Sequence, residues 1–244
     1  MSRYLTTSDI ISRALSQMGV IDIDPVAIAG SRDVILYQSW ALLQHAGDML
    51  LKEGMNQWQQ HVRVWSLSVQ DPITEYDLPV DLEYFLNDSG WNNTSAIPIG
   101  PVSPQSWRAL KARNLGGSTI TLQYIIANDK IKFYYAPSDP QAVEIDYQSR
   151  SWVQDVTTAP PTYRDHIQAD DDVVLYDPSL IINALKFWYR DAKGFDTTSV
   201  KDAYDEALAN ALGANRPVAS YSIGRSGGMP YLGVNNLPDT GYGR

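Results

Sequence analysis

The chain contains no cysteine among its 244 residues. This absence excludes disulfide bonds, thiolate metal sites and a cysteine nucleophile. The three histidines, His45, His61 and His166, show none of the spacings of zinc proteases, and no serine-nucleophile elbow accompanies them. We therefore expect no catalytic residues, no cofactor and no bound metal.

The sequence also lacks a long apolar run and an excess of basic charge. No stretch approaches the ~20 apolar residues of a membrane-spanning helix, and we expect no membrane association. The formal net charge is −9. Three arginines and one aspartate follow Gly213, which makes that segment about +2 and the preceding body about −11. A body this acidic is not expected to grip nucleic-acid phosphates.

Apolar residues recur with helical spacing at both ends of the chain. The pattern predicts a first helix capped by Ser8 and a longer second helix over residues 31–53. After residue 170, Asp177-Pro178 predicts a third helix start, and Ser199 caps a last helix that ends at Gly213. Each pair of helices can bury too little apolar surface to be stable alone, so we expect the four helices to form an antiparallel bundle.

The middle of the chain alternates with period two, as strands do. Asn128-Asp129 joins two such runs, and both residues tolerate positive φ, which predicts a hairpin. Ser103-Pro104 predicts a short helix, and the chain is expected to turn at Pro79 into another helix with Asp81 in its first turn. The predicted fold is α+β: a helical bundle of residues 1–60 and 161–213, an inserted, mostly antiparallel β-domain of residues 61–160, and an extended C-terminal arm of residues 214–244.

The arm is the most unusual segment, because it combines glycine and proline with spaced aromatic and aliphatic residues. Glycine and proline disfavour a helix or a central strand, whereas the spaced side chains favour an arm that becomes ordered on a partner. The alternative interpretation is a frayed terminus. The residues expected to bind the partner are Arg216, Tyr221, Arg225, Met229, Tyr231, Leu232, Leu237 and Tyr242.

An acidic triplet, Asp170-Asp171-Asp172, precedes the second helical region. Three adjacent carboxylates rarely converge on one ion, although an oxygen-ligand cation site is one interpretation. A solvated loop, or an acidic patch that meets a neighbouring subunit, is the favoured interpretation.

The aromatic residues are mainly tryptophan and tyrosine, which protein interfaces favour. Trp91, Trp107 and Trp152 are candidates for contacts of the β-domain with a partner or a neighbouring subunit. Carbohydrate-binding surfaces share this bias, so a carbohydrate-contacting module with exposed Trp and Tyr is an alternative. A weaker alternative is a glycan hydrolase with paired carboxylates.

An ordered series of short motifs gives the chain a family resemblance. The series contains Tyr76-Asp77-Leu78-Pro79 with Asp81, Trp91, Gly100-Pro101 before Trp107, the Asn128-Asp129 hairpin ending at Ala136-Pro137, Tyr147 with Trp152, the acidic triplet, the helix from Trp188 to Lys193-Gly194, and the C-terminal arm. In this order, which covers nearly the whole chain, the sequence resembles the head-to-tail adaptors of short-tailed, podovirus-like bacteriophages, the tail tubular protein A class.

The resemblance implies a structural virion protein of the tail or neck, assembled in the host cytoplasm. It implies a ring of twelve subunits beneath the portal, with the arm on the portal and the β-domain facing the tail nozzle protein. Genomic DNA would pass through the lumen of this connector without specific binding, and an acidic body would keep it from sticking.

Overall fold

The computed structural model describes residues 3–20, 28, 31–53, 58–113 and 122–215. The predicted arm therefore lies outside the described residues, apart from Ala214 and Asn215.

Five helices are present in the described part of the chain. They are α1 (Thr7–Gln17), α2 (Val34–Lys52), α3 (Pro104–Arg113), α4 (Pro178–Ala192) and α5 (Thr198–Asn215). Helix α4 packs against α1, α2 and α5. At its start, the carboxylate of Asp177 accepts hydrogen bonds from the backbone N–H groups of Ser179 and Leu180, as the Asp-Pro pair predicts.

The strands pair antiparallel in three small sheets. The central strand of the largest sheet is β8 (Gln141–Ser149). It pairs with β1 (Val62–Val69) along one edge, and with β3 (Leu82–Phe85) and β4 (Trp91–Asn92) along the other. The short strand β5 (Ile97–Pro98) pairs with β4. The second sheet contains β2 (Glu75–Asp77), β7 (Lys130–Phe133) and β6 (Tyr124–Ala127), and the third contains β10 (Thr162–Arg164), β9 (Val153–Asp155) and β11 (Val173–Val174). The chain is therefore α+β.

The predicted hairpin between β6 and β7 is confirmed. Asn128 and Asp129 form its two-residue turn, with φ angles of 57° and 55°. Few residues other than glycine adopt this left-handed conformation readily, and Asn and Asp are the usual exceptions.

Four local predictions are wrong. Ser199 does not cap the last helix, because α5 already begins at Thr198, whose backbone N–H donates to the carboxylate of Asp196. Thr6 caps α1 in place of Ser8, because its hydroxyl accepts a hydrogen bond from the N–H of Asp9. The chain after Asp81 forms the strand β3 and not a helix, since Leu82–Phe85 pairs with β8. Gly213 does not end the last helix, which continues to Asn215.

The buried apolar side chains fall into two clusters. The first joins α1, α2, α4 and α5 to residues that follow β8, including Trp152 and Val153. The second lies within the β-rich part and contains Val69, Tyr124, Ile131, Phe133 and Ile145 among others. Trp152 and Val153 thus belong to the helical cluster, although they lie inside the range 61–160 that the sequence assigns to the β-domain.

Trp152 enters the helical cluster across Gly47 of α2. Its side chain is fully buried, and its indole N–H donates to the carboxylate of Asp48 at 3.2 Å. A Cβ added at Gly47 would lie 2.6 Å from Cε2 of Trp152 and closer still to other atoms of the ring. The indole therefore requires glycine at this position of the helix.

The end of α5 lies beside the start of β1. The side-chain oxygen of Asn215 accepts a hydrogen bond from the backbone N–H of Gln59 at 3.0 Å. Gln59–His61 forms a 3-10 turn that leads directly into β1.

Candidate functional site

A charged cleft of about 400 Å³ lies between α2 and the segment after β10. It contains carboxylates, cations and an imidazole; the lining residues are Gln44, Asp48, Leu51, Lys52, Glu83, Arg150, Asp165 and His166. Asp165 accepts a hydrogen bond from His166 at 2.7 Å and faces Arg150 at 3.7 Å. The hydrogen bond from His166 lowers the pKa of the Asp165 carboxyl.

The polar groups of this cleft mainly hold its own walls together. The amide of Gln44 in α2 donates to the backbone oxygen of Asp165 and accepts from the N–H of Ile167. Asp48 accepts from both Gln44 and Trp152. These contacts join α2 to the loop after β10.

The acidic triplet is not a simple solvated loop, because two of its carboxylates are engaged within the chain. Asp172 is 1% exposed, and its carboxylate accepts from the backbone N–H groups of Gln168 and Ala169 and pairs with Arg164 at 3.3 Å. The carboxylate of Asp170 accepts from the N–H of Ile28, and Asp171 is exposed. Two of the three carboxylates thus stabilise the chain's own backbone.

His61 is a buried titratable group at the start of β1. Its ring is fully buried and contacts the ring of Tyr176 edge-on, with 4.9 Å between centroids. Burial, and then the neighbouring Arg63 charge, lower the pKa of His61 from 6.5 to about 3.

This shifted pKa predicts a loss of stability in mild acid. Between pH 6.5 and 3 the unfolded chain binds a proton at His61 and the folded chain does not, so stability falls as the pH falls through this window. We expect a loss of about 2 kcal/mol in the free energy of unfolding between pH 7.5 and 5, measured by urea denaturation. A His61→Gln variant should show a flatter profile whatever its absolute stability. An unchanged slope in that variant would contradict the assignment.

Helix α2 exposes apolar side chains at its N-terminal half. Val34 is 64% exposed and Tyr37 71%, and Phe195, after the end of α4, is 62% exposed. Tyr37 also lines a cleft of about 240 Å³ together with Gln38, Ala41, Leu42, Ala192 and Lys193. We use the name Tyr37 surface for the three exposed residues and the cleft together, that is, for Val34, Tyr37, Gln38, Ala41, Leu42, Ala192, Lys193 and Phe195. Sequence reasoning missed it, although the signal was present: Asp48 is the only Asp, Glu, Lys or Arg between residues 34 and 51.

A second groove, of about 610 Å³, lies between β3 and β6 in the β-rich part. Aromatic and aliphatic side chains form much of its wall, among them Tyr84, Phe85, Ile99, Tyr124 and Ile126. Tyr84 and Ile126 are 37% and 42% exposed.

The three candidate tryptophans are found in different environments. Trp91 is half-buried in β4, and Trp107 is half-buried in α3 with its ring 5.9 Å from that of Tyr134. Trp152 is fully buried, so its prediction as a surface contact is wrong; its indole fills the space over Gly47. All seven tryptophans are described, and none is exposed. Of the exposed Trp and Tyr expected for a carbohydrate-contacting module, only tyrosines are found among the described residues, namely Tyr37, Tyr84 and Tyr163.

The eight residues predicted to bind a partner through the arm, from Arg216 to Tyr242, lie outside the described residues. Among the residues that are described, no cluster of three or more His, Asp or Glu could hold a metal ion. Within the same ranges, no helix has the length and apolarity needed to cross a bilayer. Comparison with protein-family models and with curated proteins gave no match.

Proposed function

We propose that the chain is a structural virion protein, a ring adaptor that joins the portal to the tail nozzle of a short-tailed bacteriophage. The Tyr37 surface carries this proposal. Clustered exposed apolar side chains mark protein interaction sites. In the single chain, Val34, Tyr37 and Phe195 face solvent. The motif series of the sequence supplies the kind of assembly.

In this proposal α1, α2, α4 and α5 form the antiparallel four-helix bundle of each subunit. The shared apolar cluster and the packing of α4 against the other three helices support it. The β-rich part faces the nozzle protein, and the C-terminal arm contacts the portal. Twelve copies surround a lumen through which DNA passes without specific binding, and the acidic body limits adhesion of the phosphates.

The proposal predicts that the Tyr37 surface is needed for assembly. Tyr37→Glu would place a charge where a neighbouring subunit must bury apolar surface, and should reduce ring formation at least tenfold. Native mass spectrometry and negative-stain imaging, alone and with the portal protein, would measure this; the wild-type chain should form rings with a central hole.

Ile73→Glu is the matched control, because Ile73 is 54% exposed but lies in the turn before β2. It should assemble like the wild type. A wild-type chain that stays monomeric both alone and with the portal would contradict the proposed function. Rings formed equally well by Tyr37→Glu would remove the observation that carries it.

A further inference from the structure

Helix α4 is flanked by α1 and α5 on different sides. Lys186 of α4 donates a hydrogen bond to the side chain of Gln17 in α1 at 3.1 Å. The next residue, Phe187, stacks on Tyr204 of α5 with 5.7 Å between ring centroids. Successive residues of a helix point about 100° apart, so the α1 and α5 flanks of α4 face in different directions.

The α5 flank carries exposed negative charge. Asp202, Glu206, Ala209 and Gly213 are all exposed and recur at helical spacing, on the side of α5 opposite the buried Tyr204. Asp202 and Glu206 form no ion pair with any described residue. We call these four residues the acidic stripe, after the two carboxylates that give it its charge.

Gly213 gives the acidic stripe a point where another chain can approach closely. A Cβ added there would meet no atom of the described chain within 4 Å. Glycine inside a helix is unfavourable compared with alanine, and no contact within the described chain requires it.

The other flank carries positive charge. Lys186, Arg190 and Lys193 lie three or four residues apart at the C-terminal end of α4, where Asp191 is the one acidic residue of the helix. Lys186 forms no ion pair with a described residue, and burial, followed by the charge of Arg190, lowers its pKa. Lys193 also lines the cleft beside Tyr37, so this basic flank is continuous with the Tyr37 surface.

We propose that neighbouring copies dock head to tail, with the acidic stripe of α5 in one copy against the basic flank of α4 in the next. This inference rests on the proposed ring. Opposite charges on two flanks of one helix pair let each copy bind two neighbours at once, and such a heterologous contact closes into a ring when its rotation permits. The charges select the partner and the direction of docking.

Charge exchange tests the contact directly. The variant Asp202→Lys/Glu206→Lys has two basic flanks, and Lys186→Glu/Lys193→Glu has two acidic flanks. For each variant alone, the fraction of protein in rings should fall at least tenfold in native mass spectrometry, because like charges would meet at every contact. An equimolar mixture should regain rings in which the two variants alternate, visible as an even number of copies with equal shares of each mass.

The exchange Asp71→Lys/Asp139→Lys is the control, since both carboxylates are exposed in the β-rich part; it should leave rings intact. Circular dichroism should show that all variants keep the fold. Suppose that the wild type forms rings, but that either charge variant alone also forms them, or that the mixture does not. Either result would overturn the head-to-tail contact and leave the proposed function standing. A wild-type chain that forms no ring, with or without portal, would overturn both.

Discussion

Replacing Gly47 with alanine is expected to destabilise the protein by about 1–3 kcal/mol, although alanine is the better helix former. The added methyl group would overlap the ring of Trp152. The indole is fully buried and cannot retreat toward solvent. Its hydrogen bond to Asp48 and the bond from the Tyr176 hydroxyl to the backbone oxygen of Gly47 hold the same region in place. Urea denaturation followed by tryptophan fluorescence would measure the loss.

Gly213→Ala is the matched control for this substitution. Gly213 also lies in a helix, but an added Cβ would meet nothing within 4 Å. The same substitution should therefore raise the free energy of unfolding of the monomer by roughly 0.5–1 kcal/mol. Equal effects at the two positions would show that packing against Trp152 is not what requires glycine at Gly47.

Replacing Asp172 with alanine should cost about 3–5 kcal/mol. The substitution removes the acceptor of two backbone N–H groups, those of Gln168 and Ala169, and one partner of Arg164. Asp155 also pairs with Arg164, so the guanidinium would keep one carboxylate. The loss should be seen in the midpoint of urea denaturation at neutral pH.

The neighbouring Asp171→Ala separates this effect from the loss of a negative charge. Asp171 is exposed, and surface substitutions of this kind usually change stability by less than about 0.5 kcal/mol. If both substitutions changed the midpoint equally, the buried contacts of Asp172 would not explain its effect.

Features that depend on nearby residues could be predicted from the sequence. The start of α4 at Asp177-Pro178 and the turn at Asn128-Asp129 each need only a short stretch of chain, because capping and the left-handed conformation are local properties. The α+β class also follows from local periodicity, since the helical and strand patterns occupy separate stretches.

Features that depend on distant contacts could not be predicted. The carboxylate of Asp81 accepts hydrogen bonds from Tyr147 at 3.0 Å and Ser149 at 2.6 Å, and this contact accompanies the pairing of β3 with β8. No local signal shows a strand there, because the partner strand is distant in sequence. Trp152 is similar: a tryptophan after a strand has the same sequence signature whether it faces a partner or fills a space over a distant glycine.

The candidate sites divide in the same way. The apolar character of α2 is visible in the sequence, but the exposure of Tyr37 and the adjacent cleft depend on which side of α2 packs against α4 and on Ala192 and Lys193 at the end of α4. The arm remains a prediction from composition and resemblance.

The hydrogen bond between Asn215 and Gln59 has a mechanical consequence. A displacement of Asn215, the last residue of α5, would act on the 3-10 turn at Gln59–His61 through this bond. This turn leads directly into β1, and every residue of β1 pairs with a residue of β8. The last residue of α5 is thus linked to the start of the strand that forms most pairs with β8, so the end of the helical part and the beginning of the β-rich part are positioned together.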